Sequence, residues 1–436
     1  MSVMAASSNK RGRILGSRGG KVRAKALVTG RPKAILARHH TSMGCGETAM
    51  NRLWMATSAM ALVLLGVHLT ACKQSSDPAA SEDIPIGVYL SLSGANADFG
   101  VTTKNGIDLA VEEINAAGGI GGKKIRVIAK DTRSKPEEAQ TVAKQLATQD
   151  KVVAAIGSVE SGQSIKAAPV FQEAGIPMVS PSSTNPDVTK QGDRIFRVCY
   201  LDDFQGQACA DFAFKDMKAT KAGLLYAADD DYSKGLAGFF REHFKKLGGE
   251  IVAEATFQGD VSEFKDQVSA VAAKEPALVF VPVYYSKIGL IAREFRKQGF
   301  KGPLLGGDGW ESEQLVQLAG ETLEGCYFGY HYDPEDADPK VQGYIKGYRE
   351  KFKKEPNSLS ALGYDAVYAI KQAIELGGGP GRDQITEGLR KIRGFKGVTG
   401  TFDIDENRNA RKPITMLKIG GTDLKKVKVI QPGDIK

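Results

Sequence analysis

From Ile84 onward the apolar residues fall into short runs that alternate with amphipathic segments of helical period. "IPIGVYL" (84–90) reads as a strand, "GVTTKNGIDLAVEEINAAGG" (100–119) as a helix stopped by glycines, and "KKIRVIAKDT" (123–132) as a second strand. A helix from Pro136 to about Thr148, the run "VVAAIG" (152–157), a helix from about Ser161 and the strand at 177–181 continue the alternation. The pattern then restarts. "AGLLYA" (222–227), a helix over 232–249, "EIVAEATF" (250–257), a helix near 262–273, "ALVFVPV" (277–283), a helix to Gln298 and "PLLGGD" (303–308) form a second block. Two blocks of βαβ units, each with its own apolar strands, predict two α/β lobes built on parallel-type sheets flanked by helices.

Beyond Asp333 the pattern changes. Three helical segments, at 338–354, 359–376 and 383–393, precede strand-like stretches at 400–419 and 424–430. If the helices return to the first lobe and the last strands complete the second, the lobes are joined by several hinge crossings and neither is continuous in sequence. The expected division is 84–201 plus 333–400 for lobe 1, and 202–332 plus 401–436 for lobe 2.

Before the first strand the composition is different. Residues 1–71 carry eleven Lys/Arg and a single acid, Glu47, so this segment alone holds +10 of the chain's net +8 and leaves the remainder slightly acidic. A body of that sign has no electrostatic footprint for a phosphate backbone, which argues against nucleic acid as a partner. Within "MNRLWMATSAMALVLLGVHLTAC" (50–72), Arg52 precedes an apolar run from about Ala59 to Val67, followed by Leu69-Thr70-Ala71-Cys72. This is the layout of a secretory signal, too short for a membrane span. Its ending resembles the bacterial lipobox, in which the cysteine is acylated and begins the mature protein. The expectation is therefore a signal at 50–71, a lipid anchor at Cys72 in the membrane, and a polar tether at 72–83, with 1–49 an overextended start before Met50.

The remaining cysteines are Cys45, Cys199, Cys209 and Cys326; Cys199 and Cys209 stand close enough in sequence to pair, but spacing does not decide it. No Cys-x-x-Cys or His-x-x-x-His spacing is present, so no zinc or other metal site is expected. Nor does any pattern call for a cofactor. The glycine run at 118–124 lacks the ending of a phosphate loop and lies between helix and strand, where a helix stop explains it. Only two histidines follow the signal: His243, in a lysine-flanked helix and expected at the surface, and His331 in "GYHYDP". With no G-x-S-x-G elbow, an exported enzyme is the weaker reading.

In open parallel sheets ligands sit beyond the carboxyl ends of the strands. Here those ends carry "SLSGANADFG" (91–100), "SVESGQS" (158–164), "PSSTNP" (181–186), "ADDDY" (228–232), "YYS" (284–286) and "GDGWES" (307–312). Taken alone, the hydroxyl-rich "PSSTNP" is as well explained by a surface turn. Six polar or aromatic loops in this arrangement point instead to one shared cleft.

The order S-G-x-x-A-x-F-G-x-x-x-x-N-G, E-E-I-N-A-A-G-G-I-x-G, I-G-S-V-x-S-G, S-P-S-S-T-N-P, D-D-x-Y-S-K-G and G-G-D-G-W-E-S, spread from about Ile84 to Ile430, resembles the leucine/isoleucine/valine-binding proteins of bacterial ABC transporters. The resemblance implies a type I periplasmic-binding-protein fold whose hinged lobes close on an amino acid, with ABC permease membrane subunits as partner. A sensor that reads a ligand for a signalling partner is the alternative.

Carried over by motif, Ser161, Ser182 and Thr184 are implied to hold the ligand's carboxylate, and Asp308 its ammonium from the opposite lobe. Ser161 opens a helix, where free N–H groups and the positive dipole end favour an anion, although a plain helix cap explains it equally. Phe99 is implied as an aromatic wall, with half-buried loop packing as the competing explanation. Tyr232 and Tyr284 are implied as ring and hydroxyl contacts, with Tyr285 as neighbour, and Trp310 lies next to Asp308. Two departures stand out. Position 308 is Asp where the family has the longer Glu, and Glu160 places a negative charge beside the carboxylate grip. Unless Glu160 points away, two charges about 4 Å apart repel by about 4 kcal/mol at an effective dielectric near 20, which leaves the ligand open between an amino acid, an amide or polyamine-like molecule and an aromatic acid.

The anchor is directly testable. Cys72→Ser should leave an unprocessed precursor or a soluble protein, read by fractionation and mass spectrometry; mature wild-type protein without lipid would contradict the assignment.

Overall fold

The computed structural model describes residues 83–435, except Thr422 and the side chain of Val316. The proposed leader at 50–71, Cys72 and the tether as far as residue 82 lie outside the described residues.

The first sheet is built by β1 (Ile84–Leu90), α1 (Ala97–Ala116), β2 (Ile125–Asp131), α2 (Pro136–Thr148), β3 (Ala154–Gly157), α3 (Ser161–Glu173), β4 (Met178–Ser180), α4 (Asp187–Lys190) and β5 (Ile195–Arg197). Its strands run parallel in the order β2-β1-β3-β4-β5, with Val88 of β1 opposite both Ala129 and Ile156. The second sheet follows with α5 (Asp202–Asp211), β6 (Lys221–Ala227), α6 (Asp231–Lys246), β7 (Glu250–Phe257), α7 (Lys265–Ala272), β8 (Leu278–Phe280), α8 (Tyr285–Lys297), β9 (Leu304–Gly306), α9 (Leu315–Ala319) and β10 (Tyr327–Tyr330). The chain then passes through α10 (Pro339–Phe352), α11 (Ser358–Gly377), α12 (Arg382–Arg390) and the hairpin β11 (Phe395–Gly397) and β12 (Gly400–Phe402), and ends with β13 (Ile414–Gly420) and β14 (Asp423–Ile430).

The second sheet has the order β14-β13-β10-β9-β8-β6-β7. Its β7-β6-β8-β9-β10 core repeats the order of the first sheet, strand for strand, so the molecule is two-lobed with the same winding in each lobe. Central strands such as β1, β3 and β8 are buried along almost their whole length, as parallel strands covered by helices on both faces must be. β13 and β14 add an antiparallel edge. The outer strand β14 is exposed and carries Lys425, Lys426 and Lys428, charges that discourage edge-to-edge pairing with another chain.

Several sequence expectations shift. The strand expected over 277–283 stops at Phe280, and Pro282, which has no N–H to donate, falls just past its end. The stretch at 400–419 is not continuous: Asp405 Oδ1 accepts from the N–H groups of Asn407 and Asn409, closing a turn between β12 and β13. His243 is not at the surface. It lies on the same face of α6 as Leu236, Phe240 and Phe244, is 6% exposed, and bonds Asp211 Oδ1 at 3.0 Å; the flanking lysines belong to other faces of the helix. Cys199, Cys209 and Cys326 are free, buried thiols.

α11 lies against α1 at small residues. A Cβ on Gly106 would fall 1.8 Å from the Ser360 carbonyl oxygen, and one on Gly363 2.4 Å from the Thr103 carbonyl oxygen. The helix propensity gained by Gly106→Ala, about 1 kcal/mol, is outweighed by forcing two backbones apart. Gly106→Ala should lose on the order of 2 kcal/mol, seen as a lower denaturant midpoint at unchanged slope; unchanged stability would refute the close packing.

Candidate functional site

Both sheets reverse their winding at corresponding places, between β1 and β3 in one lobe and between β6 and β8 in the other. Loops leave these strand ends in opposite directions and open a crevice in each lobe. Contacts across the cleft bring the two crevices together: Asn185 Nδ2 donates to the Asp231 carbonyl at 2.7 Å, Ser286 Oγ to Asn96 Oδ1 at 2.9 Å, and Ser312 Oγ to Asp98 Oδ2 at 2.6 Å.

Inside this rim Phe99, Ser161, Ser182, Thr184, Tyr232, Tyr284 and Asp308 line a single narrow pocket, completed by Val159, Gly309 and Leu359. All seven candidate residues therefore converge. Tyr285 and Trp310 do not line it. Tyr285 turns its hydroxyl to the Asp98 N–H (3.2 Å), while the Trp310 ring is fully buried with its N–H on the Val281 carbonyl (2.9 Å).

The serine-rich loop after β4 divides its hydroxyls between two tasks. Ser180 Oγ donates to the Ser158 carbonyl (2.9 Å), and Ser183 Oγ reaches the carbonyls of Ser158 (2.9 Å) and Val159 (3.0 Å) and the hydroxyl of Ser164 (2.7 Å). These bonds lock the loops after β3 and β4 together. Ser182 and Thr184 face the cavity, and Ser182 Oγ, though buried, has no protein partner. From behind, the fully buried Arg197 donates to the carbonyls of Ser183 (2.6 Å) and Asn185 (2.9 Å). An arginine ending a three-residue strand gave no sequence signal for this clamp.

Ser161 is the first residue of α3, with Glu160 at the cap position, and its hydroxyl accepts from the Asn185 N–H (3.2 Å). The plain-cap explanation for Ser161 thus does not hold. The helix N-terminus opens beside the cavity, where its unpaired N–H groups favour an anion.

Glu160 is buried and turned into its own lobe, accepting from Ser91 Oγ (2.6 Å) and Ser158 Oγ (3.3 Å). Burial pushes its carboxyl above the ordinary range, favouring the neutral form. Both facts weaken the repulsion that the sequence suggested.

The second lobe supplies the rings and the acid. Tyr232 and Tyr284 stack at 5.0 Å and 11°, and Phe99 meets Tyr284 edge-on at 5.6 Å across the cleft. Tyr284 OH has no protein partner. Asp308, 7% exposed, accepts from Gln205 Nε2 (2.9 Å) and Tyr232 OH (3.0 Å) on Oδ1, and Oδ2 lies 2.9 Å from His331 Nε2. Burial, followed by the Asp308 charge, holds the Tyr232 phenol well above its ordinary range, so it donates as a neutral hydroxyl.

The described chain matches the periplasmic binding protein family profile over residues 83–423. The chain belongs to that family. It is 31% identical over 336 residues to Leu/Ile/Val-binding protein homolog 1 of Brucella abortus, covering 76% of this chain and 88% of that protein. Among solved structures, the leucine-binding protein LivK of Thermotoga maritima superposes with a TM-score of 0.78 at 37% identity, over 80% of this chain and 99% of that one. The branched-chain amino acid transporter substrate-binding protein LivJ of Streptococcus pneumoniae, solved with isoleucine, gives 0.76 at 35% identity, over 80% and 100%. These are substrate-binding proteins, a class defined by capture rather than turnover, and this chain shares their two-lobed fold. Among the described residues no helix is long and apolar enough to cross a membrane, and no group of His, Cys, Asp and Glu is placed to hold a metal ion.

If Glu160 is neutral and inward-facing, Glu160→Gln should keep the dissociation constant for a bound amino acid within about threefold, since a near-isosteric amide replaces an uncharged acid. A tenfold change by calorimetry would show that its charge acts on the ligand.

Proposed function

We propose that this family member is an extracytoplasmic solute-binding lipoprotein that captures an amino acid, or a related small polar ligand, between its lobes and delivers it to an ABC permease. The lobes are assigned as 84–201 plus 333–400 and 202–332 plus 401–436, with Cys72 as the anchor that keeps the protein at the membrane outside the cytoplasm. The relatives named for leucine, isoleucine and valine support an amino acid as the ligand class.

One observation carries the reading. Opposite polar chemistries from the two lobes meet across one narrow pocket: a helix N-terminus with Ser161, Ser182 and Thr184 on one side, and the buried acid Asp308 on the other. A zwitterion satisfies both ends at once. Its carboxylate fits the N–H and hydroxyl donors, its ammonium fits Asp308, and its side chain fits between Phe99, Tyr232 and Tyr284. The relatives are named as binding proteins, and on that ground we read the protein as binding without turnover.

Wild-type protein screened against the twenty common L-amino acids by thermal shift should be stabilised by at least one, by about 2.7 kcal/mol at 100 times its dissociation constant. Asp308→Ala should then weaken that amino acid tenfold or more, because a charge-assisted bond contributes about 1.5–3 kcal/mol. Thr184→Val should weaken it less, since neighbouring donors remain. Calorimetry with melting curves in parallel decides the matter; an Asp308→Ala protein that folds and binds like wild type would overturn the two-ended grip.

A further inference from the structure

We propose that Gln205 and His331 are positioning residues for the Asp308 carboxylate, each reaching it from a different crossing between the lobes, so that the hinge itself aims the ammonium-binding acid. This rests on the proposed function and adds to it two residues that do not line the ligand cavity.

The chain leaves β5, runs through residues 198–201 and enters α5, on which Gln205 sits one turn from the crossing. Its amide holds Asp308 twice: Oε1 accepts from the Asp308 N–H at 2.7 Å, and Nε2 donates to Oδ1 at 2.9 Å. The same Nε2 also reaches Asp202 Oδ1 at 3.1 Å, at the start of α5. The second crossing begins directly after β10, with His331 as its first residue. The imidazole is fully buried, with Nε2 2.9 Å from Asp308 Oδ2. It also stacks on Tyr200 of the first crossing, at 3.7 Å between centroids and 24° between planes. Asp308 is therefore fastened to both crossings, and the crossings to each other.

The chemistry suits a holder rather than a competitor. Burial lowers the readiness of His331 to protonate; Asp308 opposes that shift and Lys412 adds to it, while Tyr200 faces it as a neutral ring. A neutral imidazole gives a single N–H, spent on Oδ2, and leaves the charge of Asp308 available for a cation. An ionised carboxylate has about four acceptor positions. Gln205 and Tyr232 take two on Oδ1 and His331 takes one on Oδ2, so the free capacity is confined and directed.

The test is a double-mutant cycle by calorimetry on the full-length protein, using the tightest-binding of the twenty common L-amino acids. His331→Leu and Gln205→Leu remove the donors independently, and either folded variant suffices; His331→Gln keeps an N–H donor. We expect each leucine variant to weaken binding about tenfold or more, His331→Gln to stay within about threefold of wild type, and His331→Leu to cost less than about twofold when Asp308 is already Asn. Equal losses in the wild-type and Asp308→Asn backgrounds would show a merely structural role, and wild-type affinity in both leucine variants would overturn the proposal outright. If Asp308→Ala abolishes binding while these variants do not, only the positioning role fails. If no amino acid binds wild-type protein, the functional reading fails first.

Discussion

A carboxylate 7% exposed in the middle of a cleft is the constraint on which this structure turns. Removing a charge from water costs several kcal/mol unless donors replace the solvent. Asp308 has Gln205, Tyr232 and His331 around it, contributed by α5, α6 and the crossing after β10. These donors are spread along the chain from residue 205 to residue 331, so the acid cannot be satisfied until the second lobe and its crossings are assembled. Its electrostatic influence reaches further: its charge, after burial, pushes the carboxyl of Asp202 well above the ordinary range. A carboxyl shifted this way favours its neutral form and so competes less with Asp308 for a cation.

The facing wall solves the opposite problem, how to hold an anion without a cation pointing at it. The buried cation behind this wall, Arg197, spends two of its donors on the carbonyls of Ser183 and Asn185. Drawing those carbonyls backward fixes a loop whose hydroxyls, Ser182 and Thr184, then face forward. What the cavity offers an anion is dipoles and hydroxyls, a helix N-terminus among them. Such a site recognises shape and hydrogen-bond direction more than charge alone.

Much of this was legible in the residue pattern because it follows from periodicity. The strands β1 and β6 show as apolar runs and the helices α1 and α6 by their 3.6-residue period, and the strand-end loops then follow from topology. The three-residue strand β5 went unseen, whereas β4, β8 and β9, equally short, showed because apolar residues flank them in longer runs. His243 misled because Arg241, Glu242, Lys245 and Lys246 lie close to it in sequence, whereas Leu236, Phe240 and Phe244 share its helix face. The site's lining was legible as a set of loops, yet its supports were not. Arg197, Gln205 and His331 act through partners 14, 103 and 23 residues away, separations that no local pattern encodes. Trp310, next to Asp308 in sequence, lies in the core instead, its ring tilted against Phe328 at 6.3 Å.

Closure of the lobes has two components that differ in what they require. The rim bonds, Asn185 to Asp231, Ser286 to Asn96 and Ser312 to Asp98, pair protein with protein and are exchanged for water bonds at a small net gain, about 0.5–1.5 kcal/mol each. Within the rim the balance is reversed. Ser182 Oγ and Tyr284 OH are buried without a protein partner, and each such group costs about 1–3 kcal/mol if left unsatisfied. A molecule that supplies acceptors or donors to those two hydroxyls, and a cation to Asp308, removes the interior cost only in the closed form. Because its interaction differs between the open and closed states, it shifts the equilibrium between them. A molecule of the right size but without those groups fills the same space and shifts it far less, so recognition and closure are one event in this cleft.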